Sequence, residues 1–482
     1  MTATAQGITP QIRAKRPFGL RDKLGYMFGD FGNDFTFILQ AMFFTLFYTN
    51  VAGVKPAHVA TLLLVARIFD GFTDVGMGII VDRLPVKDGG DRFKRWIKFI
   101  AIPVAIASAL MYLSFIASFD SYSLKVVWMC ATYFLWGSVF YTAINIPYGS
   151  MASVMSTDAN DRAQLSVYRS TGATLAQLVI TSLLPLVVFT TNTAGISVLN
   201  GPRMTTAAIV CSVLAVVCYA ICYKLCEERV FTESTSHAGV GVGKMLKDVF
   251  SNRALGGLIL AALLLLVSSL FLSGILAYLM LNWFGNGKLQ SPASLAALIP
   301  AAVILIFLAP WLSKRFGKAE AGAFAMGVAG VVLLAAWLIK TESFWLWVAF
   351  YAVAMFAIST FNYLIWAFIT DVIDYQEVKT GIRNDATVYS VYSWARKLGQ
   401  AAAGGLTGYA LAWVGFDSAA ASQGLAQTDA VKSAIYDLAT LVPGVGCLLV
   451  GLALVFLYPL KKKVVDENVE ILSARRAADV VN

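Results

Sequence analysis

Charged residues are scarce in this chain: they make up 13% of its 482 residues, where a soluble domain carries about 25%. Histidine is almost absent, with only His58 and His237. That leaves little material for histidine-based metal or acid–base chemistry. The six cysteines all fall in apolar stretches. Cys218, Cys222 and Cys226 form a helical stripe, but no histidine lies near them in sequence, so they read as helix packing rather than a metal site. Residues 1–24 are polar and basic and lack an apolar core, so no signal peptide is expected. The ten-residue alternating pattern of membrane β-strands is missing too, which excludes a barrel.

What remains is apolar: 58% hydrophobic residues and a mean hydropathy of +0.71. Twelve apolar stretches stand out, at 26–48, 57–82, 96–117, 125–150, 165–190, 203–226, 254–284, 292–313, 319–339, 344–370, 386–414 and 434–460. Each is long enough to cross roughly 30 Å of hydrocarbon as a helix. An all-α membrane protein of twelve transmembrane helices is therefore expected. The net charge of +9 invites a nucleic-acid reading, but its placement argues against that. With the N-terminus on the cytoplasmic side, 27 of the 37 Lys and Arg residues fall in inner segments and six in outer loops. This bias predicts a multi-pass protein of the cell membrane, surrounded by lipid, with both termini cytoplasmic.

Against that background, Asp34, Asp70 and Asp74 are out of place. A carboxylate at bilayer depth costs at least a few kcal/mol, so it usually faces a cavity and serves a function. Asp70 and Asp74 are four residues apart and share one helix face with Arg67. Two like charges there repel unless a cation, a proton or a base lies between them. One reading is an ion pair of Arg67 with Asp70. The other is a monovalent-cation site of carboxylate and hydroxyl oxygens, with Thr73 and Thr142 as candidate donors. Asp34 follows a glycine-punctuated GDFGND. It is either a solvated helix-end carboxylate or an acceptor for adjacent sugar hydroxyls. Asp30, one turn earlier, is the weaker candidate. Arg169 and Lys397 are the natural basic partners of these acids, and Arg396 is the base most suited to snorkelling. Tyr148, Tyr168, Tyr363, Trp366, Tyr389, Tyr392 and Trp394 offer aromatic faces for a sugar ring, although most membrane aromatics serve packing or the interface.

The polar stretch 227–252 divides the chain into six helices plus six. The expected organisation is a cytoplasmic segment 1–25, a half at 26–226, a central loop 227–252, a second half at 253–460 and a cytoplasmic tail 461–482. The halves echo each other. NDRAQLSVYR (160–169) and NDATVYSVYS (384–393) both enter an apolar helix, and small-residue runs follow at 171–177 and 398–405. Parallel repeats of this kind are a transporter feature.

Six stretches carry a family resemblance: KLGYMFGDFGNDF (23–35), LLVARIFDGFTDVGMGIIVDR (63–83), INIPYGSMASVM (144–155), DRAQLSVYRSTGATLAQ (161–177), DVIDYQEVKTGIRND (371–385) and SVYSWARKLGQA (390–401). In these the chain resembles the glycoside–pentoside–hexuronide:cation symporters of the major facilitator superfamily, most of all the xyloside, isoprimeverose and glucuronide carriers. The resemblance implies two pseudo-symmetric six-helix halves around a central sugar site. It implies sugar contacts from Asp34 and Arg169, and a coupling site of Asp70, Asp74, Thr142 and Lys397, with Thr73 beside it. Asn33, Tyr148 and Tyr392 join the expected sugar pocket. Asn145, Gly149 and Asn362 are departures, because the melibiose carriers have an aspartate at the first position and tryptophans at the other two. The cation machinery thus looks intact and the pocket rebuilt.

The expected function is import of a glycoside or pentoside, xyloside-type, with Na+ or H+ by alternating access. A hexuronide such as a glucuronide is the alternative. No cofactor is expected, any metal is Na+ at Asp70 and Asp74, and the carrier is expected to be a monomer. A membrane enzyme is the competing class: DGFTD (70–74) looks like the aspartate-rich motif of intramembrane prenyltransferases. That reading wants a second such motif, and DVID (371–374) has the wrong spacing.

Overall fold

The computed structural model describes residues 11–12, 16–83, 91–156, 158–231, 252–380 and 385–481. Twelve long helices dominate these residues. In the first half they are α1 (Leu20–Asn50), α2 (Pro56–Arg83), α3 (Lys94–Leu110), α4 (Tyr122–Met155), α5 (Ala159–Val188) and α6 (Gly201–Leu225). In the second half they are α7 (Arg253–Asn282), α8 (Gln290–Phe316), α9 (Lys318–Ile339), α10 (Phe344–Thr380), α11 (Asp385–Trp413) and α12 (Asp429–Leu457). Every expected apolar stretch is mostly helical; 96–117 leaves its α-helix after Leu110. A further helix, α13 (Lys462–Val481), occupies the tail, where the sequence suggested only a polar segment.

Eight of the twelve are long and apolar enough to span a membrane by composition alone. α1 and α2 are not among them, and they carry the misplaced carboxylates. The helices begin where side chains satisfy their first N–H groups. Ser121 accepts from Leu124 at α4, Asn200 from Arg203 at α6, Asn252 from Ala254 and Leu255 at α7, and Thr428 from Val431 at α12. α9 ends on Lys340 in the left-handed region at φ 47°.

The packing divides the chain into two compact units. The first gathers α1, residues 68–83 of α2, and α3 to α6. The second gathers α7 to α13 with residues 55–67 and 189–198. In the first unit α1 lies against α5 and α6, and α3 lies against α4 and α6. In the second, α7 lies against α11 and α12, and α9 against α10 and α12. Each partnership recurs six helices later, which is the pattern of a parallel repeat.

Polar side chains tie the first unit at one end. Asp22 is fully buried and receives Arg16 at 3.0 Å and Arg229 at 2.9 Å. Glu228 accepts the N–H groups of Arg92, Phe93 and Lys94 at 2.7–2.8 Å, closing the start of α3. In the second unit, the hairpin of strands β1 (Phe189–Thr191) and β2 (Ser197–Leu199) is held at two points. Ser197 Oγ accepts from the Gly287 N–H at 3.1 Å, and Asn192 Nδ2 donates to the Gly424 carbonyl at 2.9 Å.

Candidate functional site

α2 and α4 run parallel in matching register. Ser138 Oγ donates to Asp70 Oδ1 at 2.5 Å, and one turn on Thr142 Oγ1 donates to Asp74 Oδ1 at 2.9 Å. Both hydroxyl residues are buried, each 4% exposed. The spacing of four on each helix stacks the two pairs as rungs. α4 does not reach this register as a regular helix: residues Leu135–Tyr141 form a π-helical segment. Such segments often mark functional positions, because the inserted residue redirects side chains. Thr142 also donates to the Gly137 carbonyl, at 3.3 Å, so its oxygen is anchored as well as engaged.

Of the other residues expected near this site, Thr73 spends its hydroxyl on the Asp70 carbonyl of its own helix at 3.1 Å. Ser138 was not anticipated, although its i, i+4 relation to Thr142 mirrors that of Asp70 to Asp74. The side chain of Lys397 lies outside the described residues, as do those of Trp366, Tyr389 and Trp394.

A second polar group forms where α1, α4 and α5 meet. Arg169 Nε donates to Asp30 Oδ1 at 2.9 Å. The base on α5 thus pairs with the acid that looked weaker in the sequence, not with Asp34. The guanidinium lies 5.4 Å from the centre of the Tyr148 ring. Tyr148 is fully buried, stacks on Tyr26 at 4.7 Å and donates its hydroxyl to the Tyr26 carbonyl at 2.6 Å. Its hydroxyl is thus engaged with backbone while its ring lies against the guanidinium. Asn33, 1% exposed, accepts from Tyr219 at 2.7 Å and donates to Asn145 Oδ1 at 3.4 Å, so its amide is spent inside the protein. The arrangement rests on close helix approach. A Cβ at Gly172 would fall 2.4 Å from the Met27 carbonyl oxygen, so only glycine lets α5 reach α1 there.

Several polar atoms of this group make no hydrogen bond among the described residues: the carboxylate of Asp34, Nδ2 of Asn145, and Nη1 and Nη2 of Arg169. They provide an acceptor pair, an amide donor and a guanidinium fork. Gly149 is next to them, with Arg169 Nη1 3.7 Å from where a Cβ would lie. This set suits a polyhydroxylated ligand, because hydroxyls need both donors and acceptors.

On the second unit, Tyr392 is buried and its hydroxyl accepts from Arg396 Nη1 at 3.4 Å. Asn362 is half-buried on α10, and Tyr363 beside it is exposed. The three cysteines of the stripe, Cys218, Cys222 and Cys226, are buried.

A bundle of apolar helices in two repeated sets, with carboxylates and hydroxyls paired in the helix interiors, defines a multi-pass membrane transporter. Residues 25–462 match the family described as MFS/sugar transport protein, and the chain belongs to that family, in its glycoside–pentoside–hexuronide:cation symporter branch. A glucuronide carrier protein homologue of Escherichia coli is 29% identical over 467 residues, 95% of this chain and 96% of that one. A putative sulfoquinovose importer of the same organism is 29% identical, covering 95% and 94%. The isoprimeverose transporter of Lactiplantibacillus pentosus is 29% identical over 406 residues, 82% of this chain and 80% of its own. Among solved structures, a bacterial homologue of the lysosomal transporter Spinster superposes with a TM-score of 0.62 at 14% identity, covering 91% and 95% of the two chains. That likeness concerns the fold alone. The family membership makes this chain a transporter, not an enzyme, and removes the prenyltransferase reading.

Proposed function

We propose that the chain is a sugar:cation symporter that imports a neutral glycoside of the xyloside type with Na+ or H+ by alternating access, its termini on the cytoplasmic side. The observation that carries the coupling is the pair of rungs Asp70–Ser138 and Asp74–Thr142. Carboxylate and hydroxyl oxygens are the ligands a hard monovalent cation takes, and the same carboxylates accept protons. Ion binding offsets the repulsion between the two acids. Linkage then makes ion and sugar favour each other reciprocally. In this proposal Lys397, a base from the other half, reports ion occupancy to the closing motion.

For the sugar, Asp34, Asn145 and Arg169 are the proposed ligands. The Asp30–Arg169 pair supports a neutral substrate. With Arg169 already matched by one acid and Asp34 a second, the group has no surplus positive charge to hold an anion. A hexuronide is the second reading. It is favoured by the two unbonded Nη groups of Arg169, a fork that matches a carboxylate, and by relatives named for glucuronide and sulfoquinovose. Competition decides between them. Uptake of a labelled xyloside should be inhibited by unlabelled xylose-containing glycosides and not by glucuronides. Inhibition by glucuronides alone would reverse the choice.

A further inference from the structure

We propose that Asp30 is a positioning residue for sugar recognition: it holds Arg169 by Nε, which leaves both Nη groups for the substrate and keeps Asp34 unpaired. The inference rests on the reading of Arg169 and Asp34 as sugar ligands.

A guanidinium offers five N–H donors in a rigid fork. A carboxylate that met it end-on would occupy both Nη groups and close the fork. Asp30 instead takes Nε alone, at 2.9 Å. The Asp30 side chain is 8% exposed and that of Arg169 is 40% exposed, so the anchored end is inside and the free end is open. The geometry is fixed from below and behind. The Tyr148 ring lies under the guanidinium, held by its own bond to Tyr26. The α1–α5 approach at Gly172 sets how far Arg169 must reach.

Asp30 and Asp34 share a face of α1, about 6 Å apart along the axis. A guanidinium that has lost Asp30 finds Asp34 as the next acid on that face, and a half-buried charge seeks a partner. Arg169 and Asp34 would then neutralise each other, and two sugar ligands would be consumed at once. Asp30 prevents this while itself touching no sugar.

The test compares Asp30→Asn, Asp30→Glu and Arg169→Ala in the full-length reconstituted carrier, with methyl β-xyloside and phenyl β-glucuronide as probes. Asp30→Asn should raise the dissociation constant of the bound probe about tenfold or more. The maximal exchange rate at saturating sugar should stay within about twofold of the unsubstituted carrier, because saturating sugar displaces Asp34 from Arg169 and restores both ligands. Asp30→Glu keeps the anion and should recover most of the affinity. Unchanged affinity in Asp30→Asn while Arg169→Ala loses binding overturns the proposal alone. Unchanged affinity in Arg169→Ala, or no binding of either probe to the unsubstituted carrier, overturns the site reading beneath it. Failure of both Asp30 variants to fold makes the residue structural and equally refutes the proposal.

Discussion

Ser138 and Thr142 show what one residue contributes in this protein. Each hydroxyl donates to a carboxylate on an apolar helix, and hydrogen bonds to charged groups are worth about 1.5–3 kcal/mol. Ser138→Ala or Thr142→Ala is therefore expected to weaken cation affinity about tenfold or more. Direct titration of the coupling ion, or the ion concentration for half-maximal uptake, reads this out. Unaltered ion dependence in both variants would place the cation elsewhere. The acids were legible in the sequence because a charge in an apolar run has few innocent explanations. Ser138 was not, because a hydroxyl in a membrane helix usually bonds back to its own carbonyls, as Thr73 does here. The preference of Arg169 for Asp30 over Asp34 was also illegible. Helical spacing places both acids on one face, and only the separation of α1 and α5 selects between them.

At the scale of the element, the decisive contacts are backbone approaches. Gly172 brings α5 to within van der Waals reach of the Met27 carbonyl, and a side chain there has no room. Gly172→Val is expected to cost about 1–3 kcal/mol and to displace Arg169, lowering both the melting temperature and sugar affinity. Gly327→Ala on α9, where a Cβ would meet nothing within 4 Å, is the matched control. It should be neutral or slightly stabilising, since alanine favours helix. Equal losses in both would show that general helix flexibility, not the α1–α5 approach, is what matters. The helices themselves were readable from hydropathy to within several residues at most ends, the exception being α10, which runs ten residues past its apolar stretch, to Thr380. The extension is polar, so hydropathy could not see it. Nor could it see the π segment at Leu135–Tyr141, which changes hydrogen-bond connectivity without changing the apolar pattern. The tail helix α13 was missed for a related reason: KKVVDENVEILSARRAADVV is too polar to register as a span.

At the scale of the whole molecule, the repeat is stronger in the packing than in the sequence. The short echo between 160–169 and 384–393 marks α5 and α11, and these two helices hold equivalent places against α1 and α7. Helix–helix packing tolerates wide changes of apolar side chain, so most of the two-fold relation has left no trace in residue identity. What each unit carries differs. The described carboxylate–hydroxyl rungs and the Asp30–Arg169 pair all lie in the first.

Asp70 and Asp74 are proposed to tie sugar movement to a cation gradient. The most direct test is sugar uptake into proteoliposomes under an imposed Na+ or H+ gradient, for the unsubstituted carrier and for Asp70→Asn and Asp74→Asn. Concentrative uptake is expected only with an inward cation gradient, and is expected to be lost in both variants while sugar exchange at equal concentrations persists. Full gradient-driven accumulation in both variants would contradict that role.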